Sequence, residues 1–324
     1  MILSAEEERA GRLRATLRGN LGPEILAALD DPDITDIHVN PDGKLFYDTH
    51  SQGRRPGGVS LTTDQVTSAL NTIAGHLGAE LTDEQPMLAG EFPLDGNRIE
   101  ATVRPVVTGP SFALRKKSSS VYSLAEYVEK GECSETHAAA IRQAIREWRP
   151  CLVAGGTGSG KTTLANAILA EVVDANLAGP FTRFVTIEDT YELQCAAENK
   201  VPMRSGANAK SDTRACLKAA LRYHPDLIIV GEVRDAAAYD LLQAWNTGHK
   251  GGVATIHANN ANLALRRLDQ LAQLANVPTQ SFLIAYTGIV VVFVRREGNK
   301  RFISEVLAVN GLDRSGEYQL ESLA

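Results

Sequence analysis

Residues Gly155 to Thr162 read Gly-Gly-Thr-Gly-Ser-Gly-Lys-Thr, set between the apolar run Cys151-Leu-Val-Ala154 and the helix-forming Thr163-Leu-Ala-Asn-Ala-Ile-Leu-Ala170. A buried strand feeding a glycine-rich turn and then a helix leaves few folds open, and the spacing predicts a phosphate-binding loop. Gly155, Gly156, Gly158 and Gly160 let successive backbone N–H groups turn inward around phosphate oxygens, with Thr157 and Ser159 between them. The helix N-terminus adds its partial positive charge. Lys161 is placed to reach the β- and γ-phosphates, the Thr162 hydroxyl to hold Mg²⁺, and Thr163 to complete the cradle. A glycine-rich turn matches this pattern by accident in roughly one chain in a hundred of this length. The strand before and the helix after make an accident rarer still, so ATP with Mg²⁺ is the implied ligand.

With 324 residues the chain has room for two domains, and 44% hydrophobic with 22% charged residues is an ordinary globular balance. A net charge of −6 argues against a broad nucleic-acid surface, and no stable DNA binding is expected. The cysteines Cys133, Cys151, Cys195 and Cys216 form no Cys-x-x-Cys pair, which excludes a cysteine-rich zinc module and makes a reducing cytoplasm the default. The apolar run Ile289-Val-Val-Val-Phe-Val294 is far too short to span a bilayer. The opening Glu6-Glu7-Glu8 lacks an apolar h-region, so no secretory signal is expected and any membrane association is peripheral. Arg9, Arg12, Arg14 and Arg18 accompany Leu13 and Leu17. The favoured arrangement packs the leucines on the domain and leaves the arginines in water; a basic amphipathic membrane surface is the other.

Residues 1–116 read as a small mixed α/β domain. A helix pair is expected from Glu6 to Leu29, broken at Gly19 to Pro23. Strands follow at Ile34–Val39 and Lys44–Tyr47, then a helix from Thr63 to about Leu77. In Arg98-Ile-Glu-Ala-Thr-Val-Arg104 the alternation points Ile99, Ala101 and Val103 one way and Arg98 with Arg104 the other. The polar, serine-rich Lys116-Lys-Ser-Ser-Ser120 opens a linker assigned to 117–130. From 131 to 324 apolar strands alternate with helices: Cys151–Ala154, Phe184–Ile187, Leu227–Val230, Val253–Ile256 and Ile289–Val294. That pattern predicts an α/β fold with a parallel sheet covered on both faces. Phe302–Val309 and Tyr318–Leu320 close the chain as a hairpin.

Open α/β sheets bind ligands beyond the carboxyl ends of their strands. Here the first end leads into the phosphate loop, the second carries Glu188-Asp189, the third Gly231-Glu232 and the fourth His257. Phosphoryl transfer uses Mg²⁺ ligands and a group that orients or deprotonates water. Glu188, Asp189 and Glu232 with Thr162 are therefore candidate metal ligands, and Lys161, Glu188, Glu232 and His257 candidate catalytic residues. Asp189 has the plainer option of capping a following helix. His249 in Thr247-Gly-His-Lys-Gly-Gly252 is expected at the same edge as His257. Arg214, Lys218 and Arg222 fall four apart, as a helical stripe that either meets phosphate or faces water.

Together these segments resemble the traffic ATPases of type II and type IV secretion. Gly155–Thr163 looks like their Walker A motif and Thr186-Ile-Glu-Asp-Thr-Tyr-Glu-Leu193 like their acidic box. Leu221 to Asp235 looks like Walker B, and Thr247 to Asn259 like the histidine box. The short N-terminal domain, the closing hairpin and the lack of a tetracysteine zinc insertion are most similar to the conjugal-transfer branch of type IV secretion. The resemblance implies a hexameric ring of RecA-like P-loop NTPase domains, ATP held between the two domains of each subunit, and docking on inner-membrane components at the cytoplasmic face. It implies that Glu188 activates water, that Glu232 acts around Mg²⁺, that His257 senses the γ-phosphate or couples its loss to domain movement, and that Arg98 and Arg115 clamp the nucleotide. The residues alone leave the division between Glu188 and Glu232 open. Other open classes are a pilus or type II secretion motor, a RecA-like nucleic-acid motor and a non-hydrolysing nucleotide switch; a small-molecule kinase fits least, for want of a phosphoacceptor lid.

Overall fold

A computed structural model of the chain describes residues 5–117, 121–174, 181–206, 211–298 and 300–324. The chain divides into two compact units, Met1–Ser119 and Ser120–Ala324.

The first unit opens with α1 (Ala5–Asp30), whose helical path breaks at Gly22 (φ 77°, ψ 167°) ahead of Pro23. This is the expected helix pair, and glycine serves there because the positive φ is strained for other residues. Leu17, Leu21 and Ile25 are buried, while Arg12, Arg14 and Arg18 lie on the exposed side. The leucines thus pack on the domain, as the favoured sequence expectation had it. The side chains of Glu6, Glu7, Glu8 and Arg9 lie outside the described residues. Then come β1 (Ile34–Val39), β2 (Lys44–Thr49), β3 (Gly53–Ser60), α2 (Thr63–His76), β4 (Met87–Glu91), β5 (Arg98–Thr102) and β6 (Ser111–Arg115). Helix α2 starts on a capping box between Thr62 and Gln65. The strands form one antiparallel sheet in the order β3-β2-β1-β6-β5-β4, with α1 and α2 supplying the rest of its core. Arg98 pairs opposite Arg115, whose Nε donates to Asp36 Oδ1 at 2.8 Å. Arg104 does not share that strand face: β5 ends at Thr102, and the Arg104 Nε donates to Thr108 O at 2.9 Å within the following turn.

The second unit begins inside the segment expected as a linker. Ser118, Ser119 and Ser120 lie outside the described residues, but α3 (Leu124–Glu129) is a capped helix with Leu124 and Tyr127 buried in this unit's core. Next follow α4 (Glu135–Arg146), β7 (Cys151–Gly155), α5 (Lys161–Asp174), β8 (Phe184–Glu188), β9 (Lys200–Arg204), α6 (Thr213–Ala220), β10 (Leu227–Val230) and α7 (Ala237–Asn246). The chain closes with β11 (Val253–His257), α8 (Ala261–Gln273), α9 (Ser281–Tyr286), β12 (Val290–Glu297), β13 (Lys300–Leu312) and β14 (Tyr318–Ser322). The sheet runs β14-β13-β12-β7-β11-β10-β8-β9. From β12 to β9 all pairings are parallel, and β13 and β14 extend the sheet antiparallel.

Alternation divides each central strand between two cores. Leu152, Ala154, Ile228 and Val230 face a cluster with Leu241, Trp245, Leu265 and Leu268. Cys151, Val153, Ile229 and Val292 face one with Ile141, Leu164 and Ile168. Burial on both faces is why these strands read as unbroken apolar runs. The strip β9 escaped the sequence pattern because it lies at the sheet edge with Lys200, Pro202 and Arg204 exposed and only Val201 and Met203 packing inward. Helix α6 ends before Arg222, which sits in a short 3₁₀ turn, and the Arg214 Nε donates to Asp240 Oδ2 at 2.6 Å. The expected three-residue basic stripe therefore does not form. Leu268 is fully buried between α8 and the sheet. Leu268→Ala is expected to destabilise the second unit by about 2–5 kcal/mol, read by urea denaturation; a loss below about 1 kcal/mol would contradict this packing.

Candidate nucleotide site

The loop from β7 to α5 needs its glycines for backbone reasons. Gly160 takes φ 93°, and a methyl carbon built there would fall 2.9 Å from Arg301 Cδ. The first-turn N–H groups of α5 have no intrahelical acceptor and are available to an anion. Buried Ser159 carries a hydroxyl without a protein hydrogen-bond partner among the described residues. Beside Gly156 a Cβ would meet nothing within 4 Å, so the loop has room on its open side. A cradle of helix-terminal donors over open space fits a phosphate chain. Thr157, Gly158, Thr162 and Thr163 lie in the same turn and first helical residues.

Parallel pairing brings the other motifs to this edge. His257 pairs opposite Gly155 on the neighbouring strand, and Val230 opposite Ile187, so Glu232 and Glu188 leave their strands together. Buried Lys161 donates from Nζ to Gly156 O at 3.0 Å and lies 3.2 Å from His257 Nδ1. His257 Nε2 lies 3.2 Å from Glu232 Oε1. The other Glu232 oxygen accepts from Arg234 Nη2 at 2.7 Å, and Arg234 Nη1 donates to Asp189 Oδ2 at 2.9 Å. One line of contacts thus runs Lys161–His257–Glu232–Arg234–Asp189. Burial and then the Lys161 charge lower the His257 pKa, which keeps the ring neutral at pH 7. With Nδ1 accepting from the lysine, the ring proton belongs on Nε2, donated to Glu232.

The two glutamates differ sharply. Glu188 is buried, and its Oε1 accepts from the backbone N–H groups of Glu192 (3.0 Å) and Leu193 (2.8 Å). Burial outweighs those bonds and pushes its pKa up to about 7. Gly231 makes room for it, since a Cβ there would stand 2.9 Å from Glu188 Cγ. Burial also works against ionised Glu232, but the Arg234 hydrogen bond and charge, with His257 and Lys161, hold its pKa below the ordinary range. Asp189 caps no helix: a loop follows β8, and the carboxylate accepts from Thr190 N–H and Arg234. Among the described residues no three His, Cys, Asp or Glu side chains converge as a metal cage. Thr162, Glu188, Asp189 and Glu232 offer the hydroxyl and carboxylate oxygens that Mg²⁺ takes, one or two at a time, beside phosphate and water.

His249 is not at this edge. It precedes β11, its Nδ1 lies 2.9 Å from Pro225 O, and it lines an open depression of about 670 Å³ with Glu147, Trp148 and His224. The length of β11 separates it from His257. Arg98 and Arg115 lie in the other unit. Two residues that sequence reasoning missed stand in the site. Arg234 bridges both acidic motifs; its signal was a cation two residues beyond Glu232. Buried Asn166 on α5 donates to Glu192 O (3.1 Å) and accepts from Gln194 N (2.8 Å), bracing the loop that holds Glu188. Nothing local in the sequence marked it, because its partners lie more than twenty residues on.

Residues 36–298 match the family model described as "Type II/IV secretion system protein". The chain is 42% identical over 313 residues to the conjugal transfer protein TrbB of Rhizobium radiobacter, covering 97% of this chain and 95% of that protein. It is 32% identical to the type IV secretion system protein PtlH of Bordetella pertussis, covering 88% and 93%. Among solved structures, the ATPase DotB of Legionella pneumophila superposes with a TM-score of 0.61 at 21% identity, covering 90% of this chain and 80% of that one. This last likeness bears on the two-domain RecA-like fold. The family match over most of the chain and the near full-length identity to TrbB carry the conclusion that the chain belongs to the type II/IV secretion ATPase family, on its conjugal-transfer branch.

Proposed function

We propose that the chain hydrolyses ATP with Mg²⁺ to drive assembly of, or substrate transfer through, a type IV secretion apparatus of the conjugal-transfer kind. The observation that carries this reading is the contact line from Lys161 through His257 and Glu232 to Arg234 and Asp189. It joins a phosphate loop to acids on two further strand ends, an arrangement a nucleotide switch does not need. In this reading Lys161 turns to the β- and γ-phosphates, which frees His257 Nδ1 and makes the imidazole responsive to the γ-phosphate. Thr162 and Glu232, with Glu188 and Asp189 at hand, would hold Mg²⁺, which would supply positive charge against the phosphate oxygens. Glu188, with a pKa near the working pH, takes the proton of the attacking water. The assignment of Arg98 and Arg115 to the nucleotide rests on the family resemblance.

Six copies in a ring at the cytoplasmic face of the inner membrane, bound peripherally to membrane components of the apparatus, complete the proposal. Among the described residues no helix is long and apolar enough to cross a membrane. Mg²⁺-ATPase activity per subunit is expected to rise steeply with protein concentration and then saturate. Activity no higher than that of Lys161→Ala would refute hydrolysis. Glu188→Gln is expected to bind ATP but lose at least about a hundredfold in turnover; unchanged turnover would remove Glu188 from its role.

The same residue sets two pH dependences. Turnover is expected to fall on the acid side with an apparent pKa near 7, since only ionised Glu188 acts as a base. Its folded pKa lies above the ordinary 4.5, so the fold disfavours the ionised form and loses stability as pH rises between those values. Glu188→Gln is expected to abolish that loss, compared by denaturation at about pH 5 and pH 8. An equal pH dependence in both proteins would contradict the burial argument.

A further inference from the structure

Two arginines that the preceding mechanism does not use stand against the phosphate loop. Strand β12 runs beside β7 with Val294 opposite Gly155. Val290, Val292 and Val294 face the same core as Leu164 and Ile168 of α5. Period-two alternation carries Arg296 onto that face, one step past the end of β7. Across the hairpin, Ile303 shares the core face, and Arg301 precedes it by two. In register, Arg296 pairs directly opposite Arg301. The proximity is also measurable at the loop glycines. A methyl carbon on Gly160 would stand 2.9 Å from Arg301 Cδ and 3.4 Å from its Nε, and one on Gly158 would stand 3.6 Å from Arg296 Nη1.

Like charges placed opposite one another across a strand pair are destabilising unless something negative lies between them. The Arg98–Arg115 pair of the first unit shows the usual remedy, with Asp36 bound to Arg115. Neither Arg296 nor Arg301 has an ion pair to a described carboxylate, although Arg295 beside them pairs with Glu297 at 3.2 Å. Arg296 is further held by donation from its Nε to Gly298 O at 2.8 Å. The sheet order says which part of a nucleotide these cations meet. His257, Glu232 and Glu188 leave β11, β10 and β8 on one side of the loop, with Lys161 reaching His257 there, and the proposed function puts the γ-phosphate on that side. Strand β12 flanks β7 on the opposite side.

We infer that Arg296 and Arg301 form a two-guanidinium grip on the α- and β-phosphate end of the bound nucleotide. This rests on the reading of the loop as a nucleotide site, and it assigns the β12–β13 hairpin a binding role beyond extending the sheet. Guanidinium forks match phosphate oxygens and form charge-assisted bonds stronger than neutral ones. Such a grip acts on ADP and ATP alike and persists after the γ-phosphate leaves.

The test is isothermal titration of the full-length chain with Mg-ADP, comparing wild type, Lys161→Ala, Arg296→Ala, Arg301→Ala, the double alanine variant and Arg301→Lys. Each single alanine is expected to weaken ADP about tenfold, and the double variant more. The loss should shrink as salt rises, and Arg301→Lys should recover part of it. In a Glu188→Gln background, ATP binding should fall by the same factor as ADP binding. Thermal unfolding checks that the variants fold as wild type does. A double variant that binds ADP within about twofold of wild type would overturn the grip. A loss confined to ATP would overturn its placement at the α- and β-phosphates. Wild type that binds no ADP, or binds it as Lys161→Ala does, would instead bring down the nucleotide reading itself.

Discussion

The contact between Lys161 and His257 holds the candidate site together, and it exists because two parallel strands end in step. Gly155 and His257 are register partners on β7 and β11, so the residues that follow and face them meet across a single strand spacing. From that meeting the line of polar contacts passes to Glu232 on the next strand and to Arg234 and Asp189 beyond. Each side chain satisfies its neighbour in a partly buried setting, where an unpaired charge would be costly. The two cores below supply the rigidity. Apolar runs packed on both faces leave the strand ends little freedom to drift. Precision at this edge is thus a property of the sheet rather than of the loops.

Two carboxylates a short distance apart in the fold are driven to different protonation behaviour by what surrounds them. Glu188 sits in a buried pocket shaped by Gly231, with backbone N–H groups as its partners, and titrates near neutrality. Glu232 faces a guanidinium, an imidazole and an ammonium and stays ionised. This contrast in environment is what the proposed division, Glu188 as base and Glu232 beside Mg²⁺, rests on. Asn166 adds a structural link: the helix that begins at the phosphate loop also braces the segment whose N–H groups hold Glu188. Any displacement of that helix would therefore be passed to the segment that holds the carboxylate.

Much of this was legible in the residues. The P-loop context, the apolar strands and the acids at their ends follow from local pattern, and the parallel sheet observed puts the ends that carry Glu188, Glu232 and His257 along the edge where Lys161 stands. What escaped was set by distant partners. The strand β9 lacks an apolar signature because one side of it faces water. His249 went to the wrong edge because sequence proximity to His257 hides the strand that separates them. Helix α3 was read as linker because six residues carry too little periodicity to declare themselves. Arg234 reaches Asp189, and Asn166 reaches Glu192 and Gln194, across more than twenty residues of sequence, so neither role shows in the local pattern.

The edge position of β9 has a consequence for how copies of the chain can associate. An open sheet edge invites another backbone to add a strand, but Pro202 lacks the N–H that such pairing needs, and Lys200 and Arg204 place charge along the same border. At the far border β14 exposes Gln319, Glu321 and Ser322. Both rims thus present polar or charged side chains, and continuous sheets shared between molecules are disfavoured. In the proposed ring, neighbouring copies would be left to meet through side-chain surfaces, which can separate and re-form without breaking a hydrogen-bonded ladder.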